Sequence, residues 1–207
     1  MIKKNTLFYL VRHGLTDWNI ESRLQGQSDI PLNKKGEEQA RQAAEKYFKN
    51  IHFDAVYSSD LIRARKTAEI ITLNKKITIE TTKILRERSF GPHEGKTIKQ
   101  MEEELKMDLE KLRTLSYKEA KKIGFETDDE LMARFLPFVR ELALAYQGKT
   151  ILLVSHGSVI RIFLEKIGFC TKEELKNVFV SNLGFVVFES DGVEFWIKRV
   201  EGVKIEK

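Results

Sequence analysis

Leu7-Phe8-Tyr9-Leu10-Val11-Arg12-His13-Gly14 is the stretch that decides the architecture. Thr6 to Val11 is an apolar run too short for a helix and flanked by polar residues, so it reads as a buried strand. The run ends by placing a guanidinium, an imidazole and a glycine at its carboxyl end. The arrangement recurs further on, where Ile151-Leu152-Leu153-Val154 has the composition of a central strand and runs into Ser155-His156-Gly157. Strands that are apolar throughout belong to parallel sheets covered on both faces. Such sheets hold ligands beyond the carboxyl ends of their strands. Two strands that each end in His-Gly therefore point to one end of one sheet.

Helices and further strands alternate around these two runs. Asn33 can cap a helix from about Lys34 to Phe48, with Ala40, Ala44, Tyr47 and Phe48 facing inward. Ala55 to Ser58 is a second short strand, after which Ser59 or Asp60 caps a helix from about Leu61 to Leu73. Ile77 to Ile79 reads as a third strand, and Thr97 to Ile123 is charged and helical in pattern. Thr127-Asp128-Asp129-Glu130 is a capping box opening a helix to about Tyr146, which Pro137 should kink or break. A helix from about Ser158 to Ile167 follows. Gly184 to Glu189 and Val193 to Val200 alternate as an antiparallel hairpin turned at Asp191-Gly192. The sum is an α/β three-layer sandwich with a mostly parallel central sheet, helices on both faces and a small helical cap inserted at about 97–126. No repeat or Pro/Gly-rich linker divides residues 1–207, so a single domain is expected.

Composition narrows the function classes. A chain of 207 residues can bury the core of one such domain. A single cysteine, Cys170, excludes an intramolecular disulfide framework and suits a reducing cytoplasm. Met1 to Asn5 is basic, but the apolar stretch after it breaks at Arg12 and His13, unlike a signal peptide. No apolar run approaches the length of a membrane span. A soluble cytoplasmic protein without a membrane partner is expected. The net charge of +5 comes with lysines and glutamates interleaved along helix faces, and no aromatic-and-basic stripe accompanies it. Nucleic acid is therefore not expected as a partner.

The two His-Gly ends carry the chemistry. A neutral imidazole is a competent nucleophile toward phosphorus, and its product is a phosphohistidine. Arg12 beside His13 disfavours the imidazolium and so helps keep the nucleophile neutral. His156 could stand opposite and, as an imidazolium, donate a hydrogen bond to a phosphate oxygen. A pair of histidines could also bind metal, but a flanking arginine suits an anion better than a cation. Ser58 to Ala68 follows a strand and opens a helix, where free N–H groups favour an anion. Arg63, in the first turn, can present a planar fork to phosphate oxygens. Arg65 and Lys66 fall on other faces, toward solvent. One strand-end histidine or one helical arginine alone would decide nothing; their combination does.

Together these pieces resemble the histidine phosphatase superfamily, in its phosphoglycerate-mutase-like branch. Leu10-Val11-Arg12-His13-Gly14-Leu15-Thr16-Asp17-Trp18-Asn19 is similar to that family's Arg-His-Gly signature with its downstream Trp-Asn. The similarity continues through Arg23-Leu24-Gln25-Gly26 and Pro31-Leu32-Asn33-Lys34-Lys35-Gly36. It then takes in Tyr57-Ser58-Ser59-Asp60-Leu61 with Arg63-Ala64 and Thr67-Ala68, and Leu85-Arg86-Glu87 with Phe90-Gly91 and Glu94-Gly95. It closes at Val154-Ser155-His156-Gly157, an ordered set from residue 7 to about 160.

The resemblance implies a phosphatase acting on small phosphomonoesters through a phosphohistidine on His13, with no metal and no cofactor. In that scheme Arg12, Arg63 and His156 hold the phosphoryl oxygens and stabilise charge in the transition state. Asn19 donates a further hydrogen bond to the same group. Glu87 protonates the leaving oxygen and then acts as base on the attacking water, a role suited to a partly buried carboxylate. Gln25, Gly26 and the stretch Glu87 to Phe90 fall where family members contact substrate. The chain departs from the pattern at His93, where many members carry an aromatic residue before the Glu-Gly. His93 is expected to be a solvent-exposed loop histidine, with a polar substrate contact as the alternative.

A bisphosphoglycerate-dependent phosphoglycerate mutase would use the same phosphohistidine. Family mutases shield it with a longer insertion bearing paired arginines and a proline-rich turn. Lys96 to Glu126 is short, partly acidic at Glu102-Glu103-Glu104, and has only Arg113. Phosphatase is therefore the reading. A non-catalytic phosphate-binding or regulatory protein on the same fold is the alternative of another class; every group the chemistry needs is present, which argues against it. The edge strand near Val193 to Val200 could pair with a second subunit as a homodimer.

Overall fold

The computed structural model describes residues 4–108, 111–112 and 115–205. The apolar runs form β1 (Thr6–Arg12), β2 (Ala55–Ser59), β3 (Ile79–Thr82) and β4 (Thr150–Ser155), and the hairpin forms β5 (Val178–Ser190) and β6 (Phe195–Ile205). All six make one sheet in the order β3-β2-β4-β1-β5-β6. β1 to β4 are parallel to one another, whereas β5 is antiparallel to both β1 and β6. The described helices are α1 (Asp17–Ile20), α2 (Lys34–Ala43), α3 (Ile62–Ile71), α4 (Ile98–Leu105), α5 (Tyr117–Lys122), α6 (Asp128–Ala145) and α7 (Gly157–Lys166).

Side-chain alternation along the central strands builds the layers, because successive residues of a strand face opposite sides. From β4, Ile151 and Leu153 join a buried cluster with Leu131 and Phe135 of α6 and Val159 and Phe163 of α7. Leu152 and Val154, the intervening residues, join the opposite cluster with Ala40 of α2 and Ala64 and Ala68 of α3. A strand covered on both faces needs an apolar side chain at every position, which is why it reads as a continuous run. A third, smaller cluster gathers Met101 of α4, Leu112, Ala120 of α5 and Phe125, with Leu24 and Phe90 against it. Among the described residues no helix is long and apolar enough to cross a membrane.

Several boundaries differ from the sequence reading, each for a local reason. Asn33 caps α2 as expected, its Oδ1 accepting the Gly36 N–H at 2.8 Å. The helix then passes into a π turn over Ala44–Phe48. Ala43 continues the buried face of Gly36 and Ala40 at helical spacing, and Ala44 is only half-buried. Neither Ser59 nor Asp60 caps α3, whose N-cap is Leu61. Asp60 is held at both carboxylate oxygens by Arg86 at 2.7 Å, and the Ile62 N–H donates instead to Asp29 at 2.6 Å. The third strand lies at Ile79–Thr82, later than the 77–79 reading. The helical pattern of 97–123 splits, α4 ending where Lys106 turns left-handed at φ 52°. Arg113 lies outside the described residues. The capping box of α6 forms at Thr127 and Glu130, and the helix runs unbroken through Pro137.

Candidate active site

Parallel pairing of β1 and β4 sets Arg12 opposite Ser155. The ladder extends one residue further, where the His13 N–H donates to the Ser155 carbonyl at 3.1 Å. His13 and His156 therefore leave the sheet side by side, with ring centroids 5.1 Å apart and planes at 60°. A Cβ at Gly14 would stand 2.7 Å from the Gly36 carbonyl oxygen, so the turn after His13 needs glycine.

His13 is 3% exposed and His156 is fully buried. Burial foremost, then the Arg63 and Arg12 guanidiniums, hold His13 well below the ordinary histidine pKa of 6.5. Burial, Arg63, His13 and Arg12 do the same to His156. Both shifts favour the neutral ring, in which His156 has a single N–H to donate, and disfavour the imidazolium of the sequence reading. The His13 Nδ1 lies 2.7 Å from the Gly14 carbonyl oxygen. A carbonyl can only accept, so Nδ1 carries the proton and the lone pair is left on Nε2.

Arg63, in the first turn of α3, reaches the same place. Its Nη1 and Nη2 donate to the carbonyls of Ser28 and Gly26, each at 2.7 Å, which fixes the plane of the fork. Burial lowers its pKa to about 10, against the opposing pull of Glu87 and Asp29, so it stays cationic at neutral pH. Arg12 donates through Nη1 to the Val180 carbonyl at 2.5 Å. The Nε groups of Arg12 and Arg63 and both ring nitrogens of His156 are buried without a hydrogen-bond partner among the described residues. Buried polar groups are normally paired, so the two Nε–H groups and the single N–H of a neutral His156 are donors that an oxyanion can engage.

Glu87 comes from the loop after β3 and is half-buried. Its Oε1 accepts the Arg88 N–H at 2.8 Å, and its Oε2 accepts the Ser158 N–H at 3.2 Å, in the first turn of α7. Asn19 uses its Oδ1 to accept from the Thr16 N–H and hydroxyl and from Asn182, at 3.1 to 3.2 Å. Its Nδ2 is thus the amide's remaining donor. Arg12, His13, Asn19, Gln25, Gly26, Arg63 and Glu87 all line one cavity of about 230 Å³. His156 stands beside His13, its ring 5.1 Å from the His13 ring. The far wall is apolar, with Leu24, Phe90, Ile98, Met101, Leu112 and Phe125.

His93 is buried at 4% exposure, against the expectation of an exposed loop position. The 3₁₀ turn at Gly91–His93 folds it inward. Its Nε2 lies 3.1 Å from the Ile123 carbonyl, and its ring meets Phe125 at 5.6 Å. It fills an aromatic's place in the small cluster and does not line the cavity.

Three residues at the site escaped the sequence reading. Glu94 accepts from the Gln27 and Phe90 N–H groups and the Ser28 hydroxyl at 2.7 to 3.1 Å, tying together the two loops that carry Gly26 and Glu87. Its place in Glu94-Gly95 was the available signal. Arg161 lines the cavity and donates to the Leu175 carbonyl at 3.1 Å. Asn182 had no signal in the sequence. Arg88, inside the stretch expected to contact substrate, also lines the cavity and pairs with Asp128. Among the described residues no group of three or more His, Cys, Asp or Glu could hold a metal ion.

The model of the histidine phosphatase superfamily (branch 1) matches residues 8–202. The uncharacterized phosphatase PhoE of Bacillus subtilis is 37% identical over 184 residues, covering 87% of this chain and 89% of that protein. A probable phosphoglycerate mutase, GpmB of Salmonella paratyphi A, is 37% identical over 159 residues, 77% of this chain and 73% of its own. The solved structure of Bacillus stearothermophilus YhfR superposes with a TM-score of 0.85 at 29% identity, covering 95% of this chain and 96% of that one.

Proposed function

Since the chain belongs to the histidine phosphatase superfamily, we propose that it hydrolyses small phosphomonoesters by way of a phosphohistidine on His13. The observation that carries this reading is the Nδ1–H···O=C bond from His13 to Gly14, which leaves the Nε2 lone pair on a neutral ring among buried guanidiniums. Nε2 attacks phosphorus as the P–O bond to the alcohol breaks, and Glu87 gives its proton to the departing oxygen. Arg12, Arg63, the N–H of His156 and Nδ2 of Asn19 hold the phosphoryl oxygens. A water then attacks the phosphohistidine while the Glu87 carboxylate takes its proton. Inorganic phosphate leaves, and the neutral imidazole and the protonated Glu87 are restored.

Water rather than a second phosphoglycerate discharges the intermediate in this reading. The stretch Lys96 to Glu126 has no arginine pair to hold a sugar-acid carboxylate, and the cavity wall that α4, Leu112 and Phe125 form is apolar. We assign 97–126 as the cap that selects the alcohol, in a single domain located in the cytoplasm.

The test is phosphate release from p-nitrophenyl phosphate and a panel of small phosphomonoesters, with EDTA present, for the wild type and His13→Ala. A parallel assay follows conversion of 3- to 2-phosphoglycerate with and without bisphosphoglycerate. Release that is lost in His13→Ala, without isomerisation, supports the proposal. Isomerisation with little release would make the chain a mutase.

A further inference from the structure

The β5–β6 hairpin is interrupted where it passes the candidate site. Val180 pairs with Val203 and Phe185 with Glu201, so the residues Ser181 to Gly184 stand against Gly202 alone. A hairpin has no need of such a bulge, and this one forces unusual backbone. Leu183 takes φ +59° and Gly202 φ +66°. A Cβ at Gly184 would fall 2.8 Å from the Ser181 carbonyl oxygen. Non-glycine residues in the left-handed region cluster where a site requires them, and large bulges serve to re-aim a side chain.

The side chain that this bulge delivers is Asn182. Its Nδ2 lies 3.1 Å from the His13 carbonyl, 3.1 Å from the Gly14 carbonyl and 3.2 Å from Oδ1 of Asn19. The neighbouring Leu183 N–H also reaches the His13 carbonyl, at 3.4 Å. Two of these acceptors matter to the proposed chemistry. The Gly14 carbonyl is the group that takes the Nδ1–H of His13 and so decides which nitrogen keeps the lone pair. Oδ1 of Asn19, once engaged, leaves that amide's Nδ2 as the donor for a phosphoryl oxygen. The Asn182 NH₂ is already directed at these protein acceptors, so it acts through them.

We infer that Asn182 is a positioning residue: its amide holds the Gly14 carbonyl and the Asn19 amide in the orientations that aim Nε2 of His13 and a phosphoryl donor into one cavity. The inference rests on the phosphohistidine reading for its kinetic consequence but not for its geometry. Three acceptors converge on one nitrogen, two of them sharing one of its two protons, which suits a donor-only NH₂ group. An aspartate there would have the same shape with acceptors only, and its carboxylate would repel the oxygens that Asn182 binds. A side chain that merely filled the bulge would leave the His13 tautomer unchanged in that exchange.

The experiment compares the wild type, Asn182→Asp and Asn182→Ser by rapid-mix single turnover on p-nitrophenyl phosphate, with KM measured alongside. The ¹⁵N spectrum of the imidazoles provides an independent readout of tautomer. Misplacement of a reacting group by about 1 Å can cost on the order of 10²-fold. Asn182→Asp should therefore slow phosphohistidine formation about 10- to 100-fold with KM little changed. The His13 resonances should lose their Nδ1–H pattern. Asn182→Ser, which keeps one donor, should fall between. Wild-type formation rate and tautomer in Asn182→Asp would overturn the inference, as would a rate loss that tracks a fall in thermal midpoint with the tautomer unchanged. If the wild type forms no phosphohistidine, the proposed chemistry fails, while the imidazole spectrum still decides the positioning role.

Discussion

Lowering the pH from 7 to 5.5 should destabilise this protein, and two buried histidines set the size of the effect. His13 and His156 are held well below the ordinary value of 6.5 in the folded chain by burial and by Arg63 and Arg12. Unfolding returns both to water, where they titrate normally. For a base with a depressed folded pKa, the unfolded state binds more protons below the unfolded pKa, so stability falls as the pH falls. The stabilisation is complete above 6.5 and is lost below it, until the folded pKa is reached. The slope for each such group is about 1.4 kcal/mol per pH unit. At pH 5.5, one unit below, the two histidines together should cost on the order of 2 kcal/mol relative to pH 7. That is a large part of a typical net stability of about 5–15 kcal/mol. Urea unfolding monitored by far-ultraviolet circular dichroism in phosphate-free buffer would measure it at pH 7.0 and 5.5. The control is His13→Asn, which should recover about half of the fall. Equal pH dependence in wild type and His13→Asn would refute the claim that His13 is buried as a neutral ring.

Glu87→Gln should slow turnover and remove one acid–base limb from the pH–rate profile; a profile retaining both limbs would move the proton-transfer role elsewhere. Arg63→Met should lower kcat about 10²- to 10³-fold in steady-state phosphate release, the usual cost of removing one preorganised donor from a developing oxyanion. A change of less than about 3-fold would show that Arg63 serves only the Gly26 and Ser28 carbonyls it binds. Leu153→Ala, in a fully buried central strand, should cost about 2–5 kcal/mol in urea unfolding, with the activity of the folded fraction unchanged. A loss below about 1 kcal/mol would mean that the cluster under α6 and α7 collapses around the cavity.

Much of the molecule was legible in one dimension because its decisive features are local. A strand apolar on both faces announces its burial, so β1 and β4 were readable, and the His-Gly after each then fell at the carboxyl end of the sheet. Arg12, Arg63 and Glu87 carry chemistry that few structural roles need in that order along the chain, and the structure places all three around the same cavity as His13. Helix ends were less legible where a distant group competes for the cap. Asp60 belongs to Arg86, 26 residues on, so Asp29 rather than a local cap meets the first turn of α3.

What only the tertiary structure decided involves burial and convergence. Charge state was one such matter: the sequence allows His156 either protonation state, and it takes burial beside two guanidiniums to push both rings toward the neutral form. The place of His93 was another, because inward or outward depends on whether Phe125 and the Ile123 carbonyl are there to receive it. Asn182 is the plainest case. It lies 169 residues from the carbonyl of His13 that it binds, in a hairpin whose alternation suggests a regular ladder. A bulge depends on what the strand must reach across space, and no periodicity along the chain records that distance.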